Sequence, residues 1–174
     1  MDFHSLFPLK EENRWIYRTD RGSLSVQVTE KQVVGTKSFF ILETRVDEEL
    51  LQREKYLVDV DAFWLLSRTF GDHVFMYDPP NPILIAPADV GKAWDWKGNC
   101  GGQNVEFHFM YMEKNTIRVP SGSFPSVKVE IKEFGMGGKS NTTRWYSAGV
   151  GMIQESMISD QMQYEAELEA YKIN

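Results

Sequence analysis

The chain has 174 residues, 42% of them hydrophobic and 25% charged, a balance that supports one globular domain with its own core and excludes wholesale disorder. A formal net charge of −6 without any basic run leaves no cationic patch for nucleic acid or anionic lipid. The single cysteine, Cys100, cannot close an intramolecular disulfide, so no oxidising compartment is implied.

At the N-terminus, Met1 to Pro8 lacks a basic segment followed by an apolar one, so it does not read as a signal peptide. The expected location is cytoplasmic if the chain is complete, and periplasmic or extracellular if a leader has been removed. No apolar stretch approaches membrane-spanning length; the longest, Pro82 to Pro87, is far too short.

From Ser23 onward the dominant signal is period-two alternation. Leu24, Val26 and Val28 share one face against Ser23, Ser25 and Gln27, as in a strand with one packed side. Turn signals then recur at short spacing: Asp20-Arg21-Gly22, Gly35-Thr36, Asp47-Glu48, Asp59 to Asp61 and Gly71-Asp72. Gly, Asn and Asp tolerate the positive φ that tight hairpins need.

The stretch Asp78-Pro79-Pro80-Asn81-Pro82 reads as a crossing loop, because proline cannot donate to a ladder. Trp94 and Trp96 lie two apart and point to one face of a strand. After the turn Asn99 to Gly102, Val105, Phe107, Phe109 and Tyr111 alternate with Glu106, His108 and Met110. Val127, Val129 and Ile131 then oppose Lys128, Glu130 and Lys132. Phe134 to Ser140 ends in Gly-Lys-Ser, yet Glu133 stands where a Walker A loop requires glycine, so the segment reads as a hairpin loop. Met162, Tyr164, Ala166, Leu168 and Ala170 alternate with Gln163, Glu165, Glu167 and Glu169, which makes the tail a strand and not a helix. The expected fold is therefore mostly β with little helix, one domain over residues 1–174. It is an antiparallel meander of about ten strands, curved into a strongly bent open sheet or half-barrel.

Chemistry is sparse. Cys100 with His108 could form a nucleophile and base, but no Cys-His signature surrounds them. His4, His73 and His108 show no metal-ligand spacing, and His108, beside Met110 and Met112, reads as partly buried. No catalytic, metal or cofactor site is assigned. Asn141-Thr142-Thr143 matches a glycosylation acceptor, which argues only for an exposed turn.

The aromatic residues allow two readings. They fill the core, or the curled sheet has more aromatic lining than it can fill and keeps an apolar pocket. The candidate pocket residues are Trp15, Trp94, Trp96, Phe107, Phe109 and Trp145.

Four stretches carry a resemblance. They are Phe7-Pro8-Leu9-Lys10 with Asn13-Arg14-Trp15 and Tyr17; Val90-Gly91 with Trp94, Trp96 and Gly98; Val119 to Phe124 with Val127 and Val129; and Arg144 to Gly151. In this order they resemble the TapB-like family of uncharacterised bacterial β-rich domains, whose members are frequently exported or lipid-anchored. The resemblance implies a fold like the half-barrels of the lipoprotein carriers LolA and LolB, whose concave face takes up acyl chains. Physically the motifs build corners: Pro120 and Gly122 bend the chain, and Ala148 to Gly151 reads as a turn where β-carbons would clash. Arg144 and Trp145 face opposite ways, with Trp145 expected to pack and Arg144 to pair outside.

The leading expectation is a non-enzymatic domain that binds a hydrophobic small molecule, a lipid or a lipid-modified protein segment. An interaction module using a sheet edge, with a homodimer as its simplest product, is the alternative. A hydrolase using Cys100 ranks last.

Overall fold

A computed structural model describes residues 3–135 and 138–174. Among these residues the only helix is one 3₁₀ turn, His4–Leu6. The rest of the regular structure is twelve strands: β1 (Arg14–Thr19), β2 (Gly22–Val34), β3 (Lys37–Val46), β4 (Glu49–Val58), β5 (Ala62–Phe70), β6 (His73–Ile85), β7 (Ala93–Cys100), β8 (Gln103–Val119), β9 (Gly122–Gly135), β10 (Gly138–Ser147), β11 (Gly151–Ser159) and β12 (Gln163–Lys172). Each pairs antiparallel with its neighbour in sequence, and β1 also pairs with β12, from Arg14 opposite Lys172 to Thr19 opposite Ala166.

The expected antiparallel meander is present. It has twelve strands where the turns had suggested about ten, and the last pairing closes the open sheet into a barrel. Closure follows from strand number and twist: a strongly coiled sheet this wide satisfies its two edges by joining them. The tail is strand β12, as its alternation required, with Ala166 and Leu168 fully buried.

Alternation separates the two surfaces of the wall. Inside lie Val28, Leu42, Phe107, Phe109, Tyr111, Val127, Val129 and Leu168, all buried. Outside lie residues such as Lys97 paired with Glu106, Lys128 with Glu113 and Arg18 with Glu167. An apolar interior and a charged exterior reverse the arrangement of a barrel that faces lipid. No helix of the described residues is long and apolar enough to cross a membrane.

The two ends differ. At one end the segment Phe3 to Leu9 tucks inward: Leu6 is completely buried, and the Phe7 ring meets Trp15, Tyr56, Phe63 and Tyr146. Trp15 donates from Nε1 to the Val150 carbonyl at 2.6 Å, tying β1 to this floor. Gly151 (φ +104°) permits the approach, since a Cβ there would stand 3.1 Å from that same nitrogen. At the other end lie the hairpin turns at 20–21, 47–48, 71–72, 101–102 and 160–161, which ring a mouth. The tip of the β9–β10 hairpin, within the Gly-Lys-Ser segment, lies outside the described residues.

The proline stretch departs from expectation. Residues 78–82 remain part of β6 and do not form a loop. The ladder is what breaks: β5 pairs with Asn81 through Leu65 and with Met76 through Ser67, skipping 77–80. On the other side β6 pairs with β7 only at Tyr77–Cys100 and Asp78–Asn99. Prolines 79, 80 and 82 have no N–H to donate, so the seam is closed by side chains. Trp94 Nε1 reaches the Pro82 carbonyl at 2.7 Å and Trp96 Nε1 the Pro79 carbonyl at 3.0 Å. The Tyr111 hydroxyl donates to the Ile85 carbonyl at 2.8 Å and accepts from its N–H at 3.2 Å.

Candidate functional site

Two cavities lie inside the barrel, the larger reaching from Phe7 and Trp15 at the floor to Leu51 and Met162 near the mouth turns. The larger holds about 410 Å³, within the range of small-molecule pockets. Its apolar wall includes Leu24 and Val26 of β2, Leu42 of β3, Leu51 of β4, Ile83 of β6, Met152 and Met157 of β11, and Ala166 of β12. They face inward by the alternation of their strands, reset by β-bulges at Leu51 on β4 and at Ile153 on β11. Leu51 and Met162 on its lining are also exposed, which marks where the cavity meets solvent.

Its polar wall is built from two ion pairs. Arg68 Nε binds Glu54 Oε1 at 2.7 Å, while the Tyr56 hydroxyl donates to the other Glu54 oxygen at 2.9 Å. Arg144 Nε binds Glu155 Oε2 at 2.5 Å, with Tyr146 beside Arg144 on the same face of β10. Tyr17 donates to the Met152 carbonyl at 2.9 Å. Burial works against charge on both arginines, and the attraction of Glu54 for Arg68 and of Glu155 for Arg144 more than restores it. Burial pushes the hydroxyls of Tyr17, Tyr56 and Tyr146 upward, so they remain neutral donors at any ordinary pH. The arrangement is a patch of fixed charges and hydroxyls set into an apolar chamber, where hydrogen bonds are stronger than in water.

The smaller cavity holds about 350 Å³ and shares Arg68 with the larger. Phe70, Phe75, Tyr77 and Phe107 form its aromatic wall, and His73, Cys100 and Glu133 complete it.

The six aromatic candidates separate. Trp15 lines the larger cavity, near its floor, and Phe107 lines the smaller. Trp94, Trp96 and Phe109 line neither; they pack as a ring ladder along the β6–β7 seam. Trp94 stacks on Phe109 at 5.1 Å and Trp96 leans on Phe107 at 5.6 Å. Trp145 lies on the opposite face of β10 from the cavity, with Lys128 Nζ 5.6 Å over its ring. The expectation for Arg144 is therefore corrected: it points into the barrel, because Arg144 shares its face with Thr142 and Tyr146 opposite Val127, Val129 and Ile131.

Cys100 and His108 do not meet. Cys100 is buried inside, opposite Tyr77 in the β6–β7 ladder, and burial raises its pKa, which disfavours the thiolate a nucleophile needs. His108 is partly buried, as expected beside the methionines. It lies outside, paired through Nδ1 with Asp95 and edge-on to Phe134. Among the described residues no group of three His, Cys, Asp or Glu side chains is placed to hold a metal ion.

The sequence reading missed Glu54, Arg68, Arg144 and Glu155 as site residues. Their available signal was parity: Glu54 and Tyr56 on β4, and Arg144 and Tyr146 on β10, occupy the same alternating face.

No family model matches the chain, and no curated protein matches it. Solved structures do. A proposed lipoprotein from Parabacteroides distasonis superposes with a TM-score of 0.56 at 17% identity, over 96% of this chain and 98% of that one. A proposed exported protein from Bacteroides fragilis, described as having a YmcC-like fold, gives 0.53 at 15% identity over 95% and 98%. The hypothetical lipoprotein YmcC from Escherichia coli gives 0.48 at 10% over 96% and 87%. At such identities the first two establish a shared fold. That fold is an all-β barrel described by the YmcC name; the TapB-like name has no counterpart among these structures.

Proposed function

We propose that the barrel is a binding protein for an amphipathic small molecule or a lipid-modified segment. The apolar chain lies against Leu24, Val26, Leu42 and Met157, and the polar end meets the Arg68 and Arg144 ion pairs. The observation that carries this reading is the cavity of about 410 Å³ in which an otherwise largely apolar lining meets two ion pairs, Glu54–Arg68 from β4 and β5 and Arg144–Glu155 from β10 and β11 on the opposite side of the barrel. A filled core would have no need of two buried arginines, since buried ion pairs seldom add stability over apolar packing. The fold neighbours described as lipoprotein and exported protein favour a site of action outside the cytoplasm.

Binding of a dansyl-labelled fatty acid is the direct test. Emission should rise saturably with the wild type. Ala166→Phe, which fills the chamber from β12, should abolish that rise while leaving the β-sheet circular dichroism intact. Absence of saturable binding to the wild type, or equal binding by the filled variant, defeats the reading.

A second reading has one specific observation behind it. Leu50, Leu51, Phe70, Val74, Ile158 and Met162 are exposed apolar residues that flank three of the mouth turns. A protein that delivers the ligand could dock there. The edge-pairing version is less well supported, because β1 and β12 satisfy one another.

A further inference from the structure

Glu133 is a carboxylate set into a wall of rings without a cation of its own. It lines the smaller cavity with Phe70, Phe75, Tyr77 and Phe107. Among the described residues the one hydrogen bond its carboxylate accepts is a long one, from Ser140 Oγ at 3.4 Å. Among the described residues no Lys or Arg forms an ion pair with it; the one guanidinium on the same wall, Arg68, is engaged by Glu54 at 2.7 Å. Burial raises the Glu133 pKa, with Arg68 and Ser140 opposing that rise only in part. The cavity thus combines aromatic faces with a carboxylate in need of a partner.

That pairing has a chemical complement. Ring faces carry negative quadrupole potential, and a cation enclosed by several of them is attracted by each, more strongly as it is desolvated. The rings here are held in place. Phe75 meets Phe70 edge-on at 6.0 Å and backs onto Gly101, where a Cβ would stand 2.5 Å from its ring. Tyr77 is held by the Trp96 ring at 5.7 Å and by the pairing of its backbone with Cys100. The mouth favours cations too, since its turns carry Asp20, Asp47, Glu48, Asp72 and Asp160 against Arg21 alone. Clustered charge of one sign at an opening raises the local concentration of the opposite sign.

We propose that the smaller cavity binds an organic ammonium group, with Glu133 as counter-ion and Phe70, Phe75, Tyr77 and Phe107 as its cage. This goes beyond the larger cavity's role and does not depend on it. A cationic group here and an apolar chain next door would be adjacent across Arg68, whose own charge Glu54 neutralises.

Calorimetric titration with choline and with its uncharged carbon isostere tests the assignment on the intact protein. Choline should bind, and the isostere should bind at least about tenfold more weakly, because it lacks the charge. Glu133→Gln, nearly isosteric, should weaken choline about tenfold or more and leave dansyl fatty acid binding unchanged. Phe70→Leu, at a partly exposed position that tolerates change, should also weaken choline and decides the matter if Glu133→Gln fails to fold. No choline binding to the wild type, equal affinity for the isostere, or full affinity in both variants overturns the proposal. Fatty acid binding read in the same samples separates this failure from failure of the larger cavity.

Discussion

Glu43 illustrates how one side chain couples the wall to pH. On the outside of β3 it accepts from Arg53 Nη2 at 2.6 Å and from Arg45 Nη2 at 2.8 Å. The Arg53 hydrogen bonds, opposed by burial and aided by Arg45, hold its pKa below the ordinary carboxylate value. A depressed folded pKa contributes stability that is present above the unfolded pKa and is lost as pH falls through the folded one. Glu43→Gln should therefore lower stability at neutral pH by about 1–2 kcal/mol, a modest figure because both arginines are largely exposed. Urea unfolding at neutral and strongly acidic pH should show that difference vanish in acid. Glu133 has the opposite sign. Its raised pKa means that stability falls as pH rises from the unfolded value through the folded one, so Glu133→Gln should stabilise the protein above that window. Neither residue was distinguishable in the sequence from solvated strand carboxylates, because the partners of Glu43 and the rings around Glu133 come mostly from other strands.

Among the strands, the seam between β6 and β7 is the point where local rules and tertiary packing disagree. The prolines argued for a loop, and their lack of N–H groups does remove the ladder. What kept the segment in the wall was invisible locally: indole donors 12 and 17 residues further along the chain reach the vacant carbonyls. Trp96→Phe keeps the ring but strands the Pro79 carbonyl, and should cost about 1–3 kcal/mol in chemical denaturation. Gly98→Ala should cost more than that. Its Cβ would stand 2.5 Å from both the Asp78 carbonyl and the Trp96 ring, so backbone must shift. By contrast, period-two alternation made β2, β8, β9 and β12 readable, since it depends only on neighbours along one strand. Parity also told that Arg144 and Trp145 face apart, but a single strand cannot say which side is interior. Large rings favoured Trp145, whereas closure put the arginine inside, where Glu155 across the β10–β11 ladder receives it.

At the scale of the whole molecule the barrel is stopped at one end by Phe3 to Leu9, and its larger cavity meets solvent toward the other, where Leu51 and Met162 are exposed. Twelve strands enclose more space than wall side chains can fill, and the stopper supplies what is missing near the floor. Leu6→Ala should cost about 2–5 kcal/mol, measurable as a drop in thermal midpoint, although Leu6 belongs to no strand. Nothing in the alternation signalled that Phe3 to Leu9 enters the interior, because a segment without period has no face to assign. The chamber left unfilled is consequently set by strand number and stopper depth, not by any one residue lining it.

Joining the first strand to the last has a temporal consequence. Residues 147 to 158 positions apart, from Thr19 with Ala166 to Arg14 with Lys172, must find one another before either terminal strand is satisfied, and distant partners are slow to meet. Until β12 arrives, β1 and β11 both present bare backbone, each an invitation to a neighbouring chain. A version cut before Gln163 should therefore assemble into oligomers or aggregate, where the full-length protein closes on itself.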